Sequence, residues 1–272
     1  MVWEQDVRVI VMLTAEEEGG QVKSHKYWEP KNYGPLKLIS LSERRVSLDP
    51  SFLKTSPKRR SVGTALNGPA SPDLNVPSIL VRKFTLEHIE HPFSPMREIT
   101  QLQYSSWPDF GAPAHPAHIL GLIEHTDAVV RSSQPATSSP FSAESATAAQ
   151  RRPILVHCSA GCGRTGTFCA VDSVLSLLRR QRLQKKRNKE ENSSGGSDGE
   201  GQVGMRKLEL NDGGDNAWLD RDDEDLICKV VSDFRDQRLS MVQSLRQFVL
   251  CYETVLEWVS RQSPLDSGKR KA

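Results

Sequence analysis

The run Val156-His157-Cys158-Ser159-Ala160-Gly161-Cys162-Gly163-Arg164-Thr165-Gly166 constrains this chain more than any other segment. Ahead of it, Pro153-Ile154-Leu155-Val156-His157 is short and apolar, as a buried strand is; behind it, Phe168, Val171, Val174, Leu175 and Leu178 recur at helical spacing. The run therefore predicts a strand that turns through a tight loop of small residues into a helix. Small side chains let successive backbone N–H groups turn inward and form a concave anion site. The helix aims its positive end at the same point. Arg164 adds a planar fork of donors that matches two oxygens of a phosphate. Such a site also stabilises a thiolate, so Cys158 is expected to have a depressed pKa and to be nucleophilic near neutral pH. The Thr165 hydroxyl can donate to that sulfur. A buried structural cysteine before a glycine turn would explain a lone cysteine, but not this whole string.

Around that segment the chain mixes strands and helices. Val7–Leu13, Leu36–Leu41, Ile79–Leu86 and Ile99–Tyr104 read as further strands, the second and third as neighbours. Helical spacing recurs from Ile119 to Val130, from Ile227 to Phe234 and from Leu245 to Val259. The class is α/β (α+β), with a mixed, twisted sheet flanked by helices. Hydrophobic residues make up 37 % of the chain, below the roughly 45–50 % of a compact domain. That shortfall points to polar insertions, read at 42–76, 132–150 and 185–225, with a disordered tail at 263–272. The folded part is then 1–262.

Composition also excludes some classes. Formal net charge is only +2, so no overall field argues for nucleic acid. Five cysteines, an odd number without metal or disulfide spacing, fit a reducing compartment. No apolar stretch has the length of a membrane span. The expected setting is cytoplasmic, with Lys185-Lys186-Arg187-Asn188-Lys189 as a possible nuclear signal that a solvated loop explains as well.

The string His-Cys-Ser-Ala-Gly-x-Gly-Arg-Thr-Gly resembles the signature of the tyrosine-specific protein phosphatases. Trp107-Pro108-Asp109-Phe110-Gly111 follows a strand, as that family's mobile acid loop does, and Gln243-Ser244-Leu245-Arg246-Gln247 is similar to its Gln-Thr-x-x-Gln pattern. The resemblance implies hydrolysis of phosphotyrosine in proteins through a phosphocysteine, with no metal and no cofactor. It assigns Cys158 as nucleophile, Arg164 as phosphate clamp, Asp109 as general acid and Thr165 as donor to the leaving sulfur. Ser159, Ala160, Gly161, Cys162 and Gly163 would bind the phosphate. Gln243 would orient the attacking water and Gln247 help hold the site. Glu18 would pair with Arg164, Lys23 lie near the acid loop, His157 support the thiolate, and Arg235 and Arg238 lie beneath the loop. Polar insertions resemble fungal members of the family, whose substrates include mitogen-activated protein kinases.

The resemblance runs from Val2 to about Trp258 and begins inside the family's domain. No Lys-Asn-Arg-Tyr-like or Asn-Tyr-Ile-Asn-like string occurs. The expected consequences are weaker phosphotyrosine selectivity and exposed strand edges. A catalytically impaired phosphotyrosine-binding protein is therefore the alternative function. A phosphoinositide phosphatase is disfavoured, because no lysine lies between Cys158 and Arg164 to meet extra ring phosphates.

Overall fold

The computed structural model of the chain describes residues 1–48, 77–109, 111–134, 152–194 and 224–262. Its strands are β1 (Val9–Met12), β2 (Glu17–Glu18), β3 (Gln21–Val22), β4 (Asn32–Tyr33), β5 (Leu36–Ser47), β6 (Ser78–His88), β7 (Arg97–Gln103) and β8 (Ile154–His157). Its helices are α1 (Pro116–Ser133), α2 (Gly163–Ser194), α3 (Leu226–Gln237) and α4 (Leu245–Gln262).

Six strands form one sheet in the order β4-β5-β6-β7-β1-β8, and β2 and β3 make a separate short ribbon. Strands β4 to β7 are antiparallel to their neighbours, whereas β7, β1 and β8 run parallel. A mixed sheet with helices against it is the architecture expected. The three parallel strands decide where chemistry can sit. Their carboxyl ends lie side by side, and side chains delivered just past such ends converge on one crevice. Past β1 comes the Thr14–Lys23 segment, past β7 the Trp107–Gly111 loop, and past β8 the Cys158 loop.

Strand β1 is buried on both faces, which its apolar Val-Ile-Val-Met run requires. Val9 and Val11 join Leu102, Ile119, Ile123, Phe168, Val174, Leu250 and Trp258 in the core between sheet and helices. Ile10, on the alternate face, packs with Leu38, Phe84 and Ile99, and Trp3, Tyr27 and Trp28 lean against that second cluster. Helix α1 packs on β1 and α4, and α2 packs on α3, α4 and β8.

Four insertion boundaries are corrected. Strand β5 continues to Ser47, past the insertion start read at residue 42, because Glu43, Arg44, Arg45 and Val46 pair with β6 from Arg82 to Ile79. Its charged residues lie along an edge that carries no further strand beyond Lys37 among the described residues, where charge deters self-pairing. Helix α2 likewise runs to Ser194, past the insertion start read at residue 185. Arg, Gln, Lys and Leu are good helix formers, and no Gly or Pro interrupts them before Gly195. The Lys185–Lys189 cluster thus lies on a helix rather than in a loop. At the other end, Asp225 caps α3 by accepting from the N–H groups of Ile227 and Cys228, so it belongs to the fold. Ser132 and Ser133 close the last turn of α1. The rest of the stretches at 42–76, 132–150 and 185–225, and the tail at 263–272, lie outside the described residues.

Among the described residues β8 pairs only with β1, and its four residues are half-buried.

Candidate active site

Strand β8 carries His157 into the loop, and α2 begins at Gly163 on the far side. Gly161 takes φ +69°, a left-handed conformation that a side chain would strain. Cys158 is buried at the bottom, with Ser159 and Ala160 exposed at the mouth. Burial alone would push the Cys158 thiol up. The Thr165 hydroxyl, donating to Sγ at 3.3 Å, and the backbone N–H groups of Thr165, Cys162 and Gly161 outweigh it and hold the pKa below its ordinary value. Burial pushes the thiols of Cys169 and Cys251 up to about 12, Cys251 in spite of its own backbone N–H. The lowered pKa of Cys158 therefore comes from the several donors of its loop.

Arg164 is 2 % exposed, and its guanidinium is held on three sides. Nη1 donates to Glu18 Oε1 at 2.6 Å and to the Trp107 carbonyl at 2.8 Å, while Nη2 lies 3.4 Å from Asp109 Oδ1. Glu18 also accepts from the Thr14 hydroxyl. Burial would raise the Glu18 carboxyl, but the Arg164 and Thr14 hydrogen bonds hold it below the ordinary carboxylate range. The β2–β3 ribbon supplies both, Glu18 at the end of β2 and Lys23 directly after β3, and Lys23 Nζ donates to Asp109 Oδ2 at 3.0 Å. The expected Glu18–Arg164 and Lys23–Asp109 pairs are thus both present.

The loop bearing Asp109 is pinned at its base. Trp107 is fully buried, and its indole N–H donates to the Gly111 carbonyl at 3.0 Å. A β-carbon on Gly111 would come within 2.8 Å of the Pro108 ring, so the turn requires glycine. Phe110 lies outside the described residues.

The segment before α4 closes the site from the side. Gln247 is buried, and its Oε1 accepts from the backbone N–H groups of Gln243 and Ser244. Both glutamine side chains sit against Gly163, where a β-carbon would lie about 3 Å from each. Val242 takes φ +58°, an outlier for a β-branched residue. Its N–H bonds to the Cys162 carbonyl, and its own carbonyl accepts from Arg235. Arg238 reaches the loop itself, with Nη2 on the Ala160 carbonyl at 2.9 Å and Nε 3.1 Å from Cys162 Sγ. Arg238 thus meets the loop directly, whereas Arg235 bonds the Met241 and Val242 carbonyls beside it.

Gly166 explains how closely α2 meets this segment. A β-carbon there would lie 2.5 Å from the Val242 nitrogen and 3.1 Å from Met241 backbone atoms. Gly166→Ala is expected to destabilise the fold by about 1–3 kcal/mol, since neither backbone can yield without moving Gln243. A lower urea midpoint with an unchanged slope is the measurement.

Three contributors escaped the sequence reading as parts of the site. Tyr27 holds His157, with its hydroxyl 2.7 Å from Nε2. Gln101 and Arg82 stand behind Tyr27 on β7 and β6. Polar residues inside strands carry no local pattern that would mark them.

A thiol of lowered pKa, inward backbone amides, a buried guanidinium and the Asp109 carboxyl are thus grouped in one crevice. The comparisons agree. The sequence model of the protein-tyrosine phosphatase family matches residues 1–188, so the chain belongs to that family. Human tyrosine-protein phosphatase non-receptor type 9 is 30 % identical over 269 residues, which cover 99 % of this chain and 33 % of that protein. Tyrosine-protein phosphatase 2 of Dictyostelium discoideum is 27 % identical, covering all of this chain and 50 % of its own length. The catalytic domain of human protein tyrosine phosphatase non-receptor type 18 matches with TM-score 0.56 at 26 % identity, over 94 % of this chain and 62 % of that one. This chain therefore spans a third to a half of these curated relatives and about three fifths of that solved domain. No helix among the described residues is long and apolar enough to cross a membrane.

Proposed function

We propose that this chain hydrolyses phosphotyrosine in proteins through a phosphocysteine intermediate. One observation carries the reading: Cys158 Sγ accepts from Thr165 at 3.3 Å inside the loop that Arg164 closes, and the same Arg164 lies 3.4 Å from Asp109. Nucleophile, clamp and acid thus meet within one crevice.

In the first step the Cys158 thiolate forms a bond to phosphorus as the bond to the tyrosyl oxygen breaks. Asp109 gives its proton to that oxygen, and tyrosine leaves neutral. Arg164 and the loop amides hold the three equatorial oxygens throughout. In the second step Gln243 orients a water, Asp109 takes its proton, and the water oxygen displaces sulfur. The Thr165 hydroxyl donates to the departing sulfur, which restores the thiolate. Inorganic phosphate is the product.

Phosphotyrosyl proteins are the proposed partners. Solved relatives bear on this only by analogy: protein tyrosine phosphatase non-receptor type 18 has been captured with HER2 phosphopeptides. Mitogen-activated protein kinases are the finer proposal for substrate, resting on polar insertions that fall outside the described residues. Cytoplasmic residence with nuclear entry through Lys185–Lys189 is the corresponding proposal for location.

The test is hydrolysis of para-nitrophenyl phosphate and of a phosphotyrosyl peptide, with a denaturing quench to trap phosphate on Cys158. Turnover with trapped label is expected; peptide binding with no turnover would replace this reading by the impaired-binder alternative. Arg164→Lys is expected to lower kcat/KM on the order of 10²- to 10³-fold, because lysine keeps the charge but loses the fork. Steady-state kinetics on the same ester measure it.

A further inference from the structure

A continuous hydrogen-bonded chain runs from the surface of the sheet to the nucleophile. It begins at Glu43 on β5, whose Oε2 accepts from Arg82 Nε at 2.6 Å. Arg82 Nη1 donates to Gln101 Oε1 at 2.9 Å, and Gln101 Nε2 donates to the Tyr27 hydroxyl at 2.7 Å. Tyr27 lies 2.7 Å from His157 Nε2, and His157 Nδ1 lies 3.2 Å from the Cys158 carbonyl. Arg82 and Gln101 are directly opposed on β6 and β7, and both are buried.

The chain has a direction, and chemistry fixes it at one end. A guanidinium has five donors and no acceptor. Whatever faces Arg82 must accept, so the Gln101 carbonyl turns to it and the Gln101 amide N–H₂ turns to Tyr27. The second amide hydrogen points to Met12 Sδ at 3.5 Å, which suits the same orientation. With its oxygen occupied by that donor, the Tyr27 hydroxyl sends its own hydrogen onward to His157 Nε2. An imidazole that accepts at Nε2 carries its proton at Nδ1 and donates it to the Cys158 carbonyl. Burial keeps both groups neutral: it pushes Tyr27 up to about 12 and His157 below its ordinary value.

We propose that Arg82 and Gln101 are positioning residues that select the Nδ1–H tautomer of His157 and thereby hold the Cys158 loop in its thiolate-stabilising form. With the other tautomer, a lone pair on Nδ1 would face the Cys158 carbonyl and repel it. That carbonyl begins the peptide plane from which the inward amides follow, so its release loosens the donors to sulfur. The Trp28 ring centroid lies 4.3 Å from the Arg82 guanidinium carbon and covers one of its faces. Arg82 Nη1 also donates to Gln103 Oε1 at 2.7 Å, and Gln103 bonds the Thr14 carbonyl beside Glu18. Gln101 takes no part in the branch to Gln103 and Thr14, so it is the cleaner residue to change.

This inference rests on the phosphatase reading of Cys158, and the experiment separates the two. The full chain, ¹⁵N-labelled at histidine, is expected to show His157 as the Nδ1–H tautomer at neutral pH. Gln101→Met keeps the length and packing but removes both ends of the amide. In that variant the His157 nitrogen shifts are expected to move toward a tautomer mixture. The Cys158 alkylation midpoint should rise by up to about one pH unit, slowing alkylation at pH 6 by roughly 3- to 10-fold. An Nε2–H tautomer in the parent overturns the proposal even if the variant does not fold. Unchanged histidine shifts and an unchanged midpoint in a folded variant overturn it as well. If the parent thiol titrates like free cysteine the phosphatase reading fails instead, while the tautomer measurement still decides this one.

Discussion

Cys158→Ser abolishes turnover, by on the order of 10⁵- to 10⁶-fold, while phosphotyrosyl peptide binding persists. The magnitude is that of removing a nucleophile from a site whose other parts remain. Serine replaces sulfur by an oxygen that the loop cannot ionise at neutral pH, although the amides and Thr165 still point at it. Binding survives because Arg164 and the amides of Gly161, Cys162 and Thr165 do not depend on the sulfur. It is expected to tighten, since a neutral hydroxyl does not repel a phosphate dianion as a thiolate does. Turnover by calorimetric or colorimetric assay, and peptide affinity by fluorescence anisotropy, check the two halves. Residual hydrolysis within tenfold of the parent would sink the assignment. The pH profile follows from the same thiolate. The folded-state pKa of Cys158 is depressed, so reactivity is present above it and is lost as pH falls through it.

Legibility followed how local each signal was. The Cys158 loop is contiguous, and small residues, arginine and flanking apolar runs each announce their part within eleven positions. Five strand segments showed in the same way, from short apolar or alternating runs. Glu18, Lys23, Asp109 and Gln243 are different. Each lies far along the chain from Cys158 and is an ordinary surface residue type, so only the family likeness placed it. The parallel trio β7-β1-β8 shows why three of them meet: Glu18 and Lys23 lie on the segment that follows β1 and Asp109 on the loop that follows β7, while the segment before α4 brings in Gln243. Charged strand ends were invisible for the opposite reason. Glu43-Arg44-Arg45 is polar enough to read as loop, and only pairing with β6 makes it strand. Arg82 and Gln101 were missed because a buried polar pair inside two strands looks like broken alternation. Val242 was missed because a positive φ on a β-branched residue is imposed from outside, by Cys162 and Arg235, against local preference.

Asp109→Ala is expected to slow the first step by about 10²- to 10⁴-fold on phosphotyrosine, the range for a positioned general acid. The size of the loss should track the leaving group. A tyrosyl oxygen departs poorly as an anion, so it depends on the proton; para-nitrophenolate departs readily and depends on it less. The parent and the variant should therefore differ most on phosphotyrosine and least on the nitrophenyl ester. Arg164 makes a further test available. Its Nη1 holds the Trp107 carbonyl at 2.8 Å, two residues before Asp109, and its Nη2 lies 3.4 Å from Asp109 itself. The acid loop is thus seated on the clamp, and a substitution at Arg164 also displaces the acid. Losses from Asp109→Ala and Arg164→Lys should consequently fall short of additivity when combined, as for groups that act as a unit. A fully additive double variant would mean that the acid finds its place without the arginine.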